Sequence, residues 1–187
     1  MNAKAAAHAA HRVNALWFGW LAVIAGIGML FGANFANSQV SHQLAQERIT
    51  MPQVAAMANL PKDAVAALTP YAGQPMTTGA QAKVYADYYI WNHMMAASGG
   101  KSYAEVSAAQ SAASNANPNS ADAQKLSALK QTMFMGDSLR TSLLTAYAFS
   151  VFGTLAFIGA WVALVVGLAL LALGYVVLQP KAASTTV

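Results

Sequence analysis

The sequence predicts an all-α membrane protein in which two transmembrane helices form a hairpin, with a small helical extracytoplasmic domain between them. The 187-residue chain is 57% hydrophobic and only 9% charged, whereas roughly a quarter of a soluble domain is charged. Two apolar runs, within residues 16–36 and 143–178, reach or exceed the ~20 residues that span a bilayer. The sequence between them shows no alternating strand pattern, which favours helices there too.

The first apolar run, residues 16–36, follows a short basic tail of residues 1–15. Trp17 and Trp20 lie at its basic end, where interfacial aromatic residues are expected. The alternative is a secretory signal peptide, whose apolar core is usually about 7–15 residues long and precedes an A-x-A-like cleavage site. This run is longer, and residues 34–38 (NFANS) make a poor cleavage site. We therefore interpret it as a retained transmembrane helix.

The second predicted transmembrane helix covers residues 140–178 and continues a helix that starts near Ser120. No charged residue occurs between Arg140 and Lys181. Tyr147 and Tyr175 are 28 positions apart, or roughly 42 Å of helix. This length is close to the ~40–45 Å that separates the two interfacial layers of a membrane.

Each predicted transmembrane helix carries a stripe of small residues. Transmembrane helices associate by close packing, so small residues mark the faces on which another helix lies. The predicted helix-packing residues are Ala25, Gly28, Gly32 and Ala36 in the first helix, and Gly153, Ala156, Ala160, Ala163, Gly167 and Gly174 in the second. These faces predict either a hairpin in which the two helices of one chain pack together, or a homo-oligomer.

The charges near the ends of the chain predict its orientation. Lys4 and Arg12 precede the first helix, Lys181 follows the second, and neither tail contains an acidic residue. By the positive-inside rule, the tails at residues 1–15 and 179–187 are cytoplasmic. Residues 37–139 then lie outside, as a helical domain of a plasma-membrane protein.

The central helix of the outer domain is predicted at about residues 80–98, ending at Gly99 and Gly100. Lys83 and Asp87 have the spacing of an i,i+4 ion pair. The remaining surface is mainly apolar and aromatic, which is typical of a buried helix. A capping-box pattern at residues 102–105 predicts that the next helix begins there.

Methionine and histidine are the candidate metal ligands. His93, Met94, Met95, Met133 and Met135 resemble the thioether and imidazole sets that hold Cu(I). Neighbours on a helix point about 100° apart, so a single site would require two helices to converge. Methionine also fills irregular cores. We therefore assign no metal and no cofactor, keep Cu(I) as an alternative, and expect His93 to be buried and hydrogen-bonded.

Several function classes are excluded or disfavoured. The chain has no cysteine, which excludes disulfides and thiolate chemistry, and its ten cations form no basic stripe for nucleic acid. No nucleophile-elbow pattern surrounds a serine. We therefore predict a non-catalytic accessory or scaffold protein in the lipid bilayer, with a membrane-protein partner or a second copy. A lipid- or quinone-binding module along residues 85–91 is a further alternative.

Several segments, taken in their order and spacing, resemble a known group of proteins. They are Glu47–Ile49, Tyr71–Gln74, Thr78–Ala86, His93, Gly99–Val106 and Phe134–Arg140 leading into Leu143–Tyr147, within residues 44–178. In these segments the chain resembles a group of actinobacterial two-span membrane proteins that has no agreed activity. The resemblance implies a bacterial plasma-membrane protein with a helical extracytoplasmic domain, and it provides no catalytic residue.

Overall fold

The computed structural model describes residues 3–179, and in that range the protein is all-helical, with 84% helix and no strand. The helices are α1 (Ala3–Gln46), α2 (Lys62–Leu68), α3 (Gly79–Val84), α4 (Trp91–Ser98), α5 (Tyr103–Ala116) and α6 (Ala121–Ala172). A π-helical turn, Tyr85–Ile90, joins α3 to α4, and a second one, Leu173–Val177, extends α6. Short 3₁₀ turns occupy Val54–Met57 and Thr69–Tyr71. The all-α prediction is confirmed, whereas the predicted tail at residues 180–187 lies outside the described residues.

The chain divides into two compact units. The first, here called the helix-pair unit, contains the residues up to 36 and those from 152 onward. The second, the helical unit, contains residues 37–151. Most of α1, up to residue 36, and the last part of α6, from residue 152, therefore form one unit, and the shorter helices belong to the other.

Two helical stretches, Ala5–Gln46 and Ala121–Val177, are long and apolar enough to cross a membrane. In the apolar window of each, only 22% and 17% of the residues are buried within the protein. A core helix of a soluble protein would bury most of such a surface. Large apolar side chains such as Trp17, Phe31 and Phe152 instead point outward.

The first long helix continues past residue 36, where the sequence predicted the span to end. No glycine or proline interrupts the chain between Ala33 and Gln46, and Val40 and Leu44 are buried in the core of the helical unit. The chain turns after Gln46, where Arg48 has a left-handed φ of 52°. A single isolated bridge between Thr50 and Pro75 follows.

Side-chain caps fix the ends of the short helices. Thr78 accepts a hydrogen bond from the backbone N–H of Gln81, whose side chain in turn accepts from the Thr78 N–H, and Ser102 and Glu105 form the same capping box. At its other end, α4 stops at Gly99, which adopts a left-handed φ of 63°. The predicted limits of the central outer helix are confirmed in this way, although a π-helical turn lies within it.

Methionine dominates the centre of the helical unit. The largest fully buried side chains are Met51, Met57, Leu68, Met76, Val106 and Met133. Short helices that meet at irregular angles leave irregular gaps, and the flexible thioether side chain fills such gaps well. The high methionine content therefore has a structural role at these positions.

Candidate functional site

The α1 and α6 segments of the helix-pair unit touch at glycines. A Cβ atom added to Gly19 would lie 2.9 Å from Leu171 Cγ, one added to Gly26 would lie 2.8 Å from Leu164 Cγ, and one added to Gly174 would lie 2.8 Å from Leu16 Cγ. The residue numbers rise along α1 as they fall along α6, so the contacts are antiparallel. A larger side chain at these positions would separate the two helices.

Within the helix pair, Gly167 leaves the least room for a side chain. Its added Cβ would lie 2.9 Å from both the Gly19 carbonyl oxygen and the Val23 backbone nitrogen. Backbone atoms cannot rotate out of the way, so only a shift of a whole helix would relieve the clash.

Of the small residues predicted on α6, Ala160, Gly167 and Gly174 lie against atoms of α1. Gly153, Ala160, Gly167 and Gly174 are buried, and Ala156 and Ala163 are half-buried.

The predicted stripe on α1 lies elsewhere. Ala25, Gly28 and Gly32 are exposed, Ala36 is half-buried, and an added Cβ at Gly28 or Gly32 would meet no atom within 4 Å. Within this chain, the contact face of α1 therefore differs from the one predicted.

Sequence reasoning missed Gly19, Gly26 and Ala33, all of which are buried. They repeat every seven positions, the same interval that marks the contact face of α6. Matching the interval between the two helices would have found them, whereas the GxxxG pattern at Gly28 and Gly32 drew attention to another face. A seven-residue repeat keeps a seam in contact over several turns, which a single GxxxG does not require.

Polar contacts close one end of the helix pair. Arg12 Nε donates a hydrogen bond to the Gly174 carbonyl oxygen at 3.2 Å. Trp20 Nε1 donates to the Tyr175 hydroxyl at 3.4 Å. Gly174 and Tyr175 both belong to the π-helical turn that extends α6, so side chains of α1 bind the end of the predicted second span.

Asp87 is the centre of a charged cluster in the helical unit. Its carboxylate pairs with Lys83 on the same helical stretch and, at 3.1 Å, with Arg140 Nη2 of α6. The Arg140 guanidinium also lies 4.7 Å from the centre of the Trp91 ring, and Lys83 Nζ lies 5.5 Å from that of Tyr147. These contacts connect the central helix to α6 through charge and cation–π interactions.

The two cations determine the charge state of Asp87. Partial burial raises the pKa of this carboxyl, but hydrogen bonds and charge from Lys83 and Arg140 outweigh it, so the pKa falls below its ordinary 3.8. The bond to Asp87 correspondingly raises the pKa of Lys83 above 10.5. Both groups are therefore charged at neutral pH, and the cluster is a satisfied ion-pair network.

The π-helical turn gives Arg140 its second anchor. Ala86, which is fully buried in this turn, accepts the backbone N–H of Trp91 five residues later. Its carbonyl oxygen also accepts Arg140 Nε at 3.1 Å. Such turns often occur at functional positions, and here the turn presents a backbone carbonyl and a carboxylate side by side to one arginine.

The five candidate metal ligands differ in burial. Met133 is fully buried and Met94 is 4% exposed, whereas Met135 is 55% exposed and lies two residues from Met133 on α6. His93 and Met94 line one hollow beside Gly136. Met94 and Met133 belong to one buried core cluster against which Met95 packs, whereas Met135 is exposed. No group of three or more His, Asp or Glu side chains with metal-site spacing occurs among the described residues.

The expectation for His93 was half right. Its Nδ1 donates to the Tyr89 carbonyl oxygen at 2.7 Å, but the side chain is exposed rather than buried. The ring instead packs against Tyr89 in a tilted arrangement, with 4.3 Å between centroids, and the ring centroid of Tyr89 lies 4.9 Å from that of Tyr85. One turn separates successive members of this series, so it runs along one face of the helical stretch.

The space beside this aromatic face is small. The hollow lined by Tyr89, His93 and Met94 has a volume of about 200 Å³. Ligand pockets usually measure about 300–1,000 Å³, so the hollow does not accommodate a quinone with its tail.

A larger open groove of about 750 Å³ lies between α5 and the start of α6. Polar side chains such as Gln110 and Lys130 line it, together with Tyr103 and Phe134. Lys130 Nζ donates to Gln110 Oε1 at 3.3 Å across the groove. Sequence analysis gave no indication of this groove, because it arises where two helices diverge.

These observations define a helical protein with two candidate membrane-spanning helices and a methionine-rich helical unit. Comparison of the chain with models of protein families, with curated proteins and with solved structures finds no match. The resemblance to actinobacterial two-span proteins therefore stays a prediction.

Proposed function

We propose that this chain is a non-catalytic integral membrane protein that acts as an accessory or scaffold subunit of a bacterial plasma membrane. One observation carries the proposal: α1 and α6 bury only 22% and 17% of their apolar windows in the protein. Lipid, a partner or both must cover the rest, because water would not tolerate so large a contiguous apolar surface.

In the proposed arrangement the two helices cross the membrane as a hairpin. The antiparallel glycine contacts between α1 and α6 support this arrangement. Both termini are cytoplasmic and residues 37–139 lie outside, as the basic, acid-free flanks indicate.

The stripe at Gly28 and Gly32 is the proposed docking face for a partner helix. The glycine seam of α6 already contacts α1, whereas a Cβ atom added to Gly28 or Gly32 would meet no atom within 4 Å. Phe31, between the two glycines, is 74% exposed. A helix of another membrane protein, or of a second copy, could approach closely along this stripe. The groove between α5 and α6 is a second, polar contact surface, and it belongs to the helical unit.

A pull-down in mild detergent tests the docking face, with mass spectrometry of the proteins, lipids and metals in the eluate. We expect a stoichiometric membrane-protein partner or a homo-oligomer with the wild-type chain. Gly28→Leu should lose it, because the new side chain would hold the other helix away. Ala169→Leu is the matched control, since Ala169 is also exposed but lies on α6. A wild-type chain that emerges as a monomer, or a Gly28→Leu variant that keeps its partner, would contradict the docking face.

A further inference from the structure

A hollow of about 560 Å³ lies between the N-terminal part of α1 and the end of α6. Phe18, Leu170, Leu173 and Leu178 give it apolar walls, and His11 and Asn14 stand at its polar edge. Both of these polar side chains are exposed. The hollow is therefore amphipathic: it offers an apolar trough and hydrogen-bonding groups one or two helical turns away.

A second apolar hollow lies on the surface of α1. It holds about 410 Å³ and is lined by Trp17, Trp20, Leu21 and Ile24, and it shares Phe18 with the first. Because Phe18 borders both hollows, they offer apolar surface on either side of it for an acyl chain that extends away from the polar edge. A phospholipid has this combination of a long apolar chain and a polar headgroup.

The charge near the polar edge selects the type of headgroup. Arg12 does not line the hollow, but it directly follows His11 in the sequence. Its Nε donates to the carbonyl of Gly174, which follows the lining residue Leu173, and this bond keeps the guanidinium at this end of the helix pair. A guanidinium has five N–H donors, so the same side chain can also bind a phosphate. All six acidic residues of the chain lie between Glu47 and Asp137, in the helical unit. No acidic side chain within residues 3–36 and 152–179 therefore opposes an anion.

We infer that the hollow between His11, Asn14 and Leu170 is a binding site for an anionic phospholipid, with its phosphate near Arg12 and an acyl chain along Phe18. The inference rests on the membrane placement in the proposed function. Basic pockets between transmembrane helices on the cytoplasmic side are a recognised type of lipid site. The predicted orientation of the chain places this end of the helices on that side.

Tryptophan fluorescence quenching tests the site in the full chain, reconstituted in nanodiscs. A Trp91→Phe/Trp161→Phe background leaves Trp17 and Trp20, beside the hollows, as reporters. Brominated phosphatidylglycerol should bind roughly fivefold more tightly there than brominated phosphatidylcholine, which corresponds to about 1 kcal/mol for one basic side chain. Arg12→Gln should reduce this ratio to near one. Arg48→Gln, an exposed arginine of the other unit, is the control and should not change it.

A second reporter separates failure of the lipid site from failure of the membrane placement. A chain that keeps only Trp161, which is 53% exposed on α6, should be quenched by both lipids. Equal quenching of Trp17 and Trp20 by both lipids would overturn the anionic site while Trp161 still supports the membrane placement. Quenching of Trp161 without quenching of Trp17 and Trp20 would mean that protein, such as a second copy, covers the hollow. An unquenched Trp161 would overturn the proposed membrane placement itself.

Discussion

Asp87 links the central helix of the helical unit to α6 by an ion pair with Arg140. One carboxylate binds Lys83, four residues earlier, and Arg140, which also binds the Ala86 carbonyl. Because the side chain is only 25% exposed, water does not fully replace these partners when they are removed. The cluster therefore stabilises the position of the π-helical turn on α6.

Asp87→Asn should lower the apparent melting temperature of the protein in mild detergent at pH 7. The free energy of unfolding should fall by about 1–3 kcal/mol, which is the cost of leaving a partly buried hydrogen-bonding group without its charged partner. Because the folded-state pKa of Asp87 is lowered, its contribution is present above the unfolded value of 3.8 and disappears as the pH falls through the folded value. The difference between wild type and variant should therefore shrink below about pH 4.

Glu47→Gln is the control for this measurement, because Glu47 is an exposed carboxylate just after α1. Melting temperatures of Asp87→Asn and wild type that coincide at pH 7 would contradict the stabilising role of the cluster. So would a difference that grows as the pH falls.

At the residue scale, sequence reasoning succeeded where partners are close in the chain. The Lys83–Asp87 pair follows from helical spacing, and the Ser102–Glu105 capping box from its local pattern. Arg140 lies 53 positions from Asp87, so only the tertiary fold shows their contact. The exposure of His93 was missed for the same reason, since burial depends on which neighbouring elements pack against a helix.

At the element scale, the helix pair depends on glycines whose added Cβ atoms would meet the opposite helix. Gly167 faces the backbone of Gly19 and Val23, whereas Gly28 faces no atom within 4 Å. Two glycines of the predicted spans thus differ in what surrounds them. This difference separates the packing of the chain on itself from its proposed contact with a partner.

Gly167→Leu should separate α1 from α6, and Gly28→Leu should leave them together. The chain has no cysteine, so a Met29→Cys/Gly159→Cys pair gives a clean readout. A Cβ atom at Gly159 would lie 3.7 Å from Met29 Sδ, which indicates that the two positions are neighbours. Intramolecular disulfide formation between them, measured by mass spectrometry, should fall severalfold with Gly167→Leu and persist with Gly28→Leu. Equal yields in the two variants would contradict the glycine seam.

Element types and several element limits were predictable, because they depend on local chemistry. Gly99 ends α4, and the capping boxes start α3 and α5, so each of these helix ends lies next to the residues that determine it. The extension of α1 to Gln46 was not predicted, because Val40 and Leu44 are held by packing in the helical unit. The π-helical turn was also missed, since its signal is a contact with Arg140 and not a sequence pattern.

At the scale of the whole molecule, composition was sufficient to predict an all-helical fold class. Two apolar runs and a low charge content predict two long helices, and the structure has two helices that could cross a membrane. Sidedness depends on a different physical cause, the interaction of flanking lysine and arginine with the membrane during insertion. The distribution of charge along the sequence is therefore the basis of the proposed orientation, and labelling from one side of the membrane tests it.

The most direct test of the proposed membrane hairpin is single-cysteine labelling of intact cells with a membrane-impermeant maleimide. Ala7→Cys and Ser111→Cys place one thiol each at exposed positions in the N-terminal tail and in α5. We predict that Ser111→Cys reacts in intact cells and that Ala7→Cys reacts only after permeabilisation. Labelling of Ala7→Cys in intact cells, or protection of Ser111→Cys until permeabilisation, would contradict the proposed hairpin with residues 37–139 outside.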